Sequence, residues 1–174
     1  PQEVVGKRVS VRLSAPGGEE RYVNGYISRF AASGLNLRGM RLYRAELVPW
    51  LWFLTRASDC RIFQNRDVKQ IVEEIFGDFS FSDFETREIK GNHPTWDYCV
   101  QYRETSFNFV SRLLEQQGIF YWFRHEKDKH TLVLGDHNGA FQDLPESQVE
   151  YAGGAQQALS QSYISSWQHS YEFT

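Results

Sequence analysis

The chain has 174 residues, 41% of them apolar and 16% aromatic, and a formal charge of −3 from 19 basic and 22 acidic side chains. That is enough apolar material for one ordinary domain or two small ones, and charges this evenly spread make no field that would draw in a phosphate backbone, which excludes nucleic acid as the natural partner. No apolar run approaches the roughly 20 residues that cross a bilayer, and no basic start followed by an apolar stretch resembles an export signal. The expectation is synthesis in the cytoplasm, and the start at Pro1 suggests a piece of a longer chain.

From Gly6, the alternation of Lys7, Val9, Val11 and Leu13 with Arg8, Ser10 and Arg12 predicts a strand, with Pro16-Gly17-Gly18 as the turn into a partner over Arg21 to Phe30. Asn24-Gly25 inside that partner reads as a bulge. Leu42 to Val48 is a third strand, ended by Pro49. The run Trp50-Leu51-Trp52-Phe53-Leu54-Thr55-Arg56, followed by Asp59-Cys60-Arg61-Ile62-Phe63-Gln64, has neither a phosphate-cradling glycine loop nor a nucleophile beside a base. It reads as an element of packing and assembly, and for Trp50 and Trp52 alike the chain's own core and a subunit contact both stay open.

Asp67 is placed to cap a helix in which Val68, Ile71, Val72, Ile75 and Phe76 make one apolar face before Gly77 closes it, leaving Lys69, Gln70, Glu73 and Glu74 to solvent. Asp78 to Phe84 is then an irregular or edge segment anchored by Phe79, Phe81 and Phe84. Asp97 to Arg103 predicts a strand with Tyr98, Val100 and Tyr102 on one side. A second helix follows, capped by Thr105 or Ser106, with Phe109, Val110, Leu113 and Leu114 as its apolar stripe and Gly118 as its stop. Ile119 to His125 and His130 to Asp136 flank Glu126-Lys127-Asp128-Lys129 as a hairpin. Beyond Pro145, Gly153-Gly154 and a Gln, Ser and Ala stretch to about Ser162 resemble a linker, and Tyr163 to Phe173 regains strand character through Ile164, Trp167, Tyr171 and Phe173.

Chemical candidates are few. Glu73 and Glu74 diverge by about 100° on a helix and cannot face one substrate, and Asp83, Glu85, Glu88 and Asp97 offer carboxylate pairs that no spacing selects. His125 and His130 bracket the hairpin turn, with His137 beyond; with Asp136 or Asp128 they could approach a metal, but no ligand spacing supports one, and exposed turn-flanking histidines are the simpler reading. His93 and His169 stand alone. There is no Gly-x-Ser-x-Gly elbow, and the two cysteines, Cys60 and Cys99, have no base singled out for them; buried free thiols fit best, with a bridge left open. Arg38, Arg41 and Arg44 recur every third residue, which on a strand scatters them over both faces. No catalytic, cofactor-binding or metal residue is therefore assigned.

The segments Trp50 to Arg56 and Asp59 to Gln64, Tyr98-Cys99-Val100-Gln101-Tyr102-Arg103-Glu104-Thr105, Phe109-Val110-Ser111-Arg112-Leu113-Leu114-Glu115, Gly118-Ile119-Phe120-Tyr121, Thr131-Leu132-Val133-Leu134-Gly135-Asp136 and Ile164-Ser165-Ser166-Trp167 closely resemble the VgrG spike proteins of type VI secretion. The likeness covers about Val4 to Phe173 and rests on structural rather than catalytic motifs.

The resemblance implies an amino-terminal, phage-hub-like region with an α+β fold, mainly antiparallel β: tube-like β-barrels with an α+β insertion containing two helices. It places 1–49 in part of the first barrel, 50–150 in the insertion, 151–162 in a linker or loop, and 163–174 in a strand returning to barrel structure. It implies a structural role, not an enzyme: a homotrimer that caps the tail tube, is assembled in the cytoplasm and leaves through the type VI apparatus. Its partners would be further copies of itself, tail-tube protein rings and, through regions outside this chain, a spike-tip protein and effectors. No cofactor is implied. A cell-wall glycan hydrolase domain of a spike and the baseplate hub of a contractile phage or prophage are the alternatives.

Overall fold

The computed structural model describes residues 3–14, 20–141, 148–151, 163–164 and 166–171. These fall into two units, Pro1–Ala140 and Phe141–Thr174. The turn expected at Pro16-Gly17-Gly18, most of the expected linker including Gly153-Gly154, and Phe173 lie outside the described residues.

In the first unit, β1 (Arg8–Ser14) and β2 (Glu20–Leu35) pair antiparallel as the alternation predicted, and β2 pairs in turn with β3 (Arg41–Val48). β2 runs five residues past Phe30 because Asn36 closes the turn into β3: its Oδ1 accepts the N–H groups of Arg38 and Met40, each at 2.9 Å. Asn24-Gly25 is not a bulge. Both residues sit in regular register opposite Ser10 and Val9, and the irregularities fall between Ile27 and Arg29 and between Ala32 and Gly34. Gly25 serves close approach instead, since a Cβ there would lie 2.9 Å from the Val48 carbonyl oxygen.

Pro49 precedes a 3₁₀ helix (Trp50–Arg56), and α1 (Val68–Asp78) begins at a capping box in which Asp67 accepts from the Gln70 N–H and Gln70 returns the bond to the Asp67 N–H. All five expected apolar residues of α1 are buried. The helix does not stop at Gly77. It ends at Asp78, one residue later, and beyond the Phe79 cap Ser80 takes the left-handed conformation (φ 58°), with the N–H groups of Ser80 and Phe81 closing on the carbonyls of Gly77 and Phe76. α2 (Ser106–Gln116) is capped by Thr105, whose Oγ1 accepts from the Asn108 N–H, and ends in the same motif with Gly118 at the left-handed position.

Two strands stand where none was predicted. β4 (Ser58–Phe63) pairs antiparallel with β6 (Cys99–Thr105), and β5 (Phe84–Glu88) pairs parallel with β8 (His130–Gly135). The β4–β6 register puts Tyr98, Val100 and Tyr102 on the solvent side, where Tyr98 and Tyr102 are more than half exposed, and buries Gln101 beside the core residue Phe63. Arg103, at φ 52°, is the extra residue of a bulge in this pair.

The predicted hairpin is β7 (Phe120–His125) with β8, whose connecting loop is closed by the Glu126 N–H on the Lys129 carbonyl. β8 is the central strand of the sheet β5-β8-β7 and is buried throughout. The 3₁₀ helix, α1, α2, Phe63, Leu132 and Leu134 share one apolar core. The fold is thus α+β with mostly antiparallel sheets, and among the described residues no sheet closes into a barrel.

In the second unit, β9 (Glu150–Tyr151) pairs parallel with β10 (Tyr163–Ile164). The strand expected over Tyr163 to Phe173 is confined, among the described residues, to Tyr163–Ile164; residues 166–171 make no ladder, and Trp167 and Tyr171 are exposed.

Candidate functional site

Trp50 belongs to the core. The 3₁₀ helix turns its ring inward to 1% exposure, edge-on to Phe76 and stacked on Phe81, with its indole N–H on the Asp83 carbonyl. Trp52, two residues on, is half-buried, packing on Phe53 with the Arg56 guanidinium 4.3 Å above its ring. Trp122 is half-buried in its hairpin arm and stacks on Phe120.

The carboxylates that could have done acid-base work are mostly held by cations or hydrogen bonds. Glu74 accepts from Arg61, Glu73 from the Thr86 hydroxyl, and Asp83 from Arg8. Glu85 is gripped by Arg124, whose hydrogen bond holds its carboxyl below the usual range. Glu88 lies 3.3 Å from His137. A catalytic acid needs the opposite, an apolar setting that raises its pKa. Glu73 and Glu74 are therefore not free solvent-facing charges: both are half-buried.

The exposed, turn-flanking reading holds for His125 and fails for His130. His130 is not a turn-flanking surface residue but fully buried, while His125 opposite it is exposed. No group of three or more potential metal ligands is found among the described residues. The histidine that spacing passed over, His93, sits between Gln117 Oε1 at 3.2 Å and Asp136 Oδ2 at 2.9 Å. Gly91 leaves room for that same carboxylate, since a Cβ there would come within 2.8 Å of it.

Cys60 and Cys99 are both free, and Cys60 is exposed rather than buried. The register sets Cys60 on the outer face opposite Tyr102 and Cys99 on the inner face opposite Phe63, so their side chains point apart; burial pushes the Cys99 thiol up. Arg41 and Arg44 lie on opposite faces of β3 and Arg38 lies in the turn before it, as the strand reading required.

Part of the remaining surface is apolar, on a sheet face that also carries Arg21 opposite Leu13 and Arg41 near Tyr43. Register places Val9, Val11, Leu13, Val23, Phe30 and Tyr43 on one face of the β1-β2-β3 sheet. Val11, Leu13, Val23 and Tyr43 there are 40–55% exposed. The opposite face of the sheet meets the rest of the unit through Arg8, Asn24 and Tyr26. A second outward patch, Ile62 with Tyr98 and Tyr102, lies on β4–β6. An open cavity of about 500 Å³, lined by Tyr26, Phe53, Arg56, Ala57, Phe79 and Phe81, sits beside the 3₁₀ helix. These two patches are sheet surface that water solvates poorly.

Known proteins place the chain more narrowly. The family model of the phage tail baseplate hub (GPD) matches residues 1–174, and the chain belongs to that family. It is 53% identical over 137 residues to the type VI secretion system spike protein VgrG1c of Pseudomonas aeruginosa, covering 79% of this chain and 19% of that protein. With VgrG1a of the same organism the identity is 49% over 141 residues, 80% of this chain and 21% of that protein. The VgrG resemblance carried by the sequence motifs is therefore real. Among solved structures, the E. coli c3393 protein, a component of the type VI secretion system with structural similarity to the T4 bacteriophage tail proteins gp27 and gp5, superimposes with a TM-score of 0.74 at 28% identity, over 82% of this chain and 40% of that one. The chain spans about a fifth of the length of the spike proteins it matches.

Proposed function

We propose that this chain is hub material of a type VI secretion spike: part of a homotrimer that caps the tail tube and, through other regions of the protein, carries the needle and effectors. The observation that carries the reading is the outward apolar face of the β1-β2-β3 sheet in a chain of the baseplate hub family. A monomer gains nothing from leaving Val11, Leu13, Val23 and Tyr43 in water, whereas a wall that continues into further strands or a neighbouring copy covers them. On this reading 1–49 belongs to part of the first tube-like barrel, 50–150 is its α+β insertion, 151–162 is a linker or loop, and 163–174 leads back to barrel structure.

The role is structural rather than enzymatic: the candidate carboxylates Glu73, Glu74, Asp83 and Glu85 are already engaged by the Thr86 hydroxyl, Arg61, Arg8 and Arg124 respectively, and hold no free pair facing a common substrate site. The protein assembles in the cytoplasm and leaves through the type VI apparatus, with tail-tube rings as its partners. A contractile phage or prophage baseplate hub is the second reading, favoured by the family to which the chain belongs. Mass measurement of the complete protein in solution tests the assembly: a trimer is expected, and a strict monomer at micromolar concentration overturns it.

A further inference from the structure

The core-facing row of β8 is His130, Leu132 and Leu134, each essentially without exposure, so an imidazole occupies a place that the strand otherwise fills with leucine. Its Nε2 lies 3.0 Å from the backbone nitrogen of Trp50. A backbone N–H can only donate, so Nε2 holds a lone pair and the ring proton sits on Nδ1, which is buried without a hydrogen-bond partner. Tyr26 from β2 and Phe123 from β7 pack edge-on to the ring. His125, paired with His130 across the hairpin, is 5.8 Å away, and its own Nδ1 accepts the N–H of Asn24 in β2. Facing charges come from Arg8 on β1 and Asp83 before β5, themselves an ion pair.

We propose that His130 is an acid-released joint between the β7–β8 hairpin and the start of the 3₁₀ helix: a proton on Nε2 turns the acceptor of the Trp50 N–H into a second donor, and the two elements part. Protonation at His125 acts in the same sense on the Asn24 contact. Burial, aided by His125 and Arg8 and opposed by Asp83, lowers the His130 pKa from 6.5 to about 4. A histidine depressed in the closed state binds protons more readily once released, so the joint is fully held above about 6.5 and loses its hold as the pH falls towards 4.

The test is amide exchange across this pH range, expressed as protection factors so that intrinsic rates cancel. Protection of the Trp50 N–H falls about tenfold or more relative to Val72 in α1 as the pH drops, while His130→Gln, whose amide oxygen accepts the same N–H and does not titrate, keeps the ratio constant. A constant ratio in the unmodified protein, or loosening over the same window in His130→Gln, overturns the proposal. Should that variant not fold, the imidazole nitrogens of His130 in the unmodified chain decide: an Nδ1-protonated ring whose titration coincides with Trp50 opening supports the joint, and an Nε2-protonated ring, or titration with Trp50 still protected, refutes it.

Discussion

His93 Nε2 lies 2.9 Å from Asp136 Oδ2, and that carboxylate also accepts the N–H groups of Lys90 and Gly91 at 2.9 and 2.7 Å, so one side chain at the end of β8 fastens the connection between β5 and β6. Burial opposes the charge on Asp136, but the Lys90 N–H, His93 and the Gly91 N–H outweigh it and bring the pKa from 3.8 to about 2. A carboxyl depressed on folding stabilises above its unfolded value and loses that contribution as the pH falls through the folded one, here between about 4 and about 2. Asp136→Asn should cost on the order of 2 kcal/mol at neutral pH. It should also remove part of the acid sensitivity below about pH 4. Urea midpoints at a series of pH values measure both.

Trp50 and Trp52 differ in how far the chain encloses them. The Trp50 ring is enclosed by Phe76 and Phe81 while Trp52 keeps one side open, so truncation should act very differently at the two positions. Trp50→Ala should destabilise by about 3–5 kcal/mol, and Trp52→Ala by clearly less. Chemical denaturation compares them, and equal losses would show that Trp52 is enclosed as fully as Trp50.

The two helix ends form a natural control for backbone strain. Ser80 and Gly118 occupy the same left-handed position of the same hydrogen-bonded motif, and a Cβ added at Gly118 would meet nothing within 4 Å. Ser80→Gly should therefore gain, and Gly118→Ala lose, about 1 kcal/mol through φ alone. Opposite shifts in thermal midpoint are the expected result.

The elements legible in sequence are those whose burial is decided locally. α1 and α2 announce themselves by the 3.6-residue spacing of Val68 to Phe76 and Phe109 to Leu114 and by Asp67 and Thr105 as caps, and the β7–β8 hairpin by its four polar turn residues. β4 and β6 defeat that logic. Alternation alone cannot say which side faces the core, and here α2 covers the side carrying Phe63 and Gln101 and leaves Ile62 and Tyr102 outside. β5 overlaps the expected irregular or edge segment only at Phe84, and the rest of it has no signal in the sequence because its partner, β8, is parallel and distant in the chain. The His93–Asp136 contact joins residues 43 apart and has no spacing to betray it. The asparagine-glycine pair in β2 differs for another reason: Gly25 is there to let Val48 approach, and a glycine required for space looks in sequence like one required for a bulge.

The outward face of β1-β2-β3 gives the last prediction. Val11 and Leu13 are 41% and 51% exposed, and register sets Val11 directly opposite Val23 on the same face. Because water already reaches these side chains, Val11→Lys with Leu13→Lys should change the stability of this chain by only about 0.5 kcal/mol per site. If the face is covered in the assembled protein, the same pair of charges must be buried there without partners, at a cost of several kcal/mol, and the complete protein should fail to form its oligomer. Denaturation of the chain and mass measurement of the complete protein, made on the same double substitution, separate the two effects: an intact oligomer carrying both lysines would mean that this face stays in water, and the assembly surface would then have to be sought on the β4–β6 patch around Ile62, Tyr98 and Tyr102.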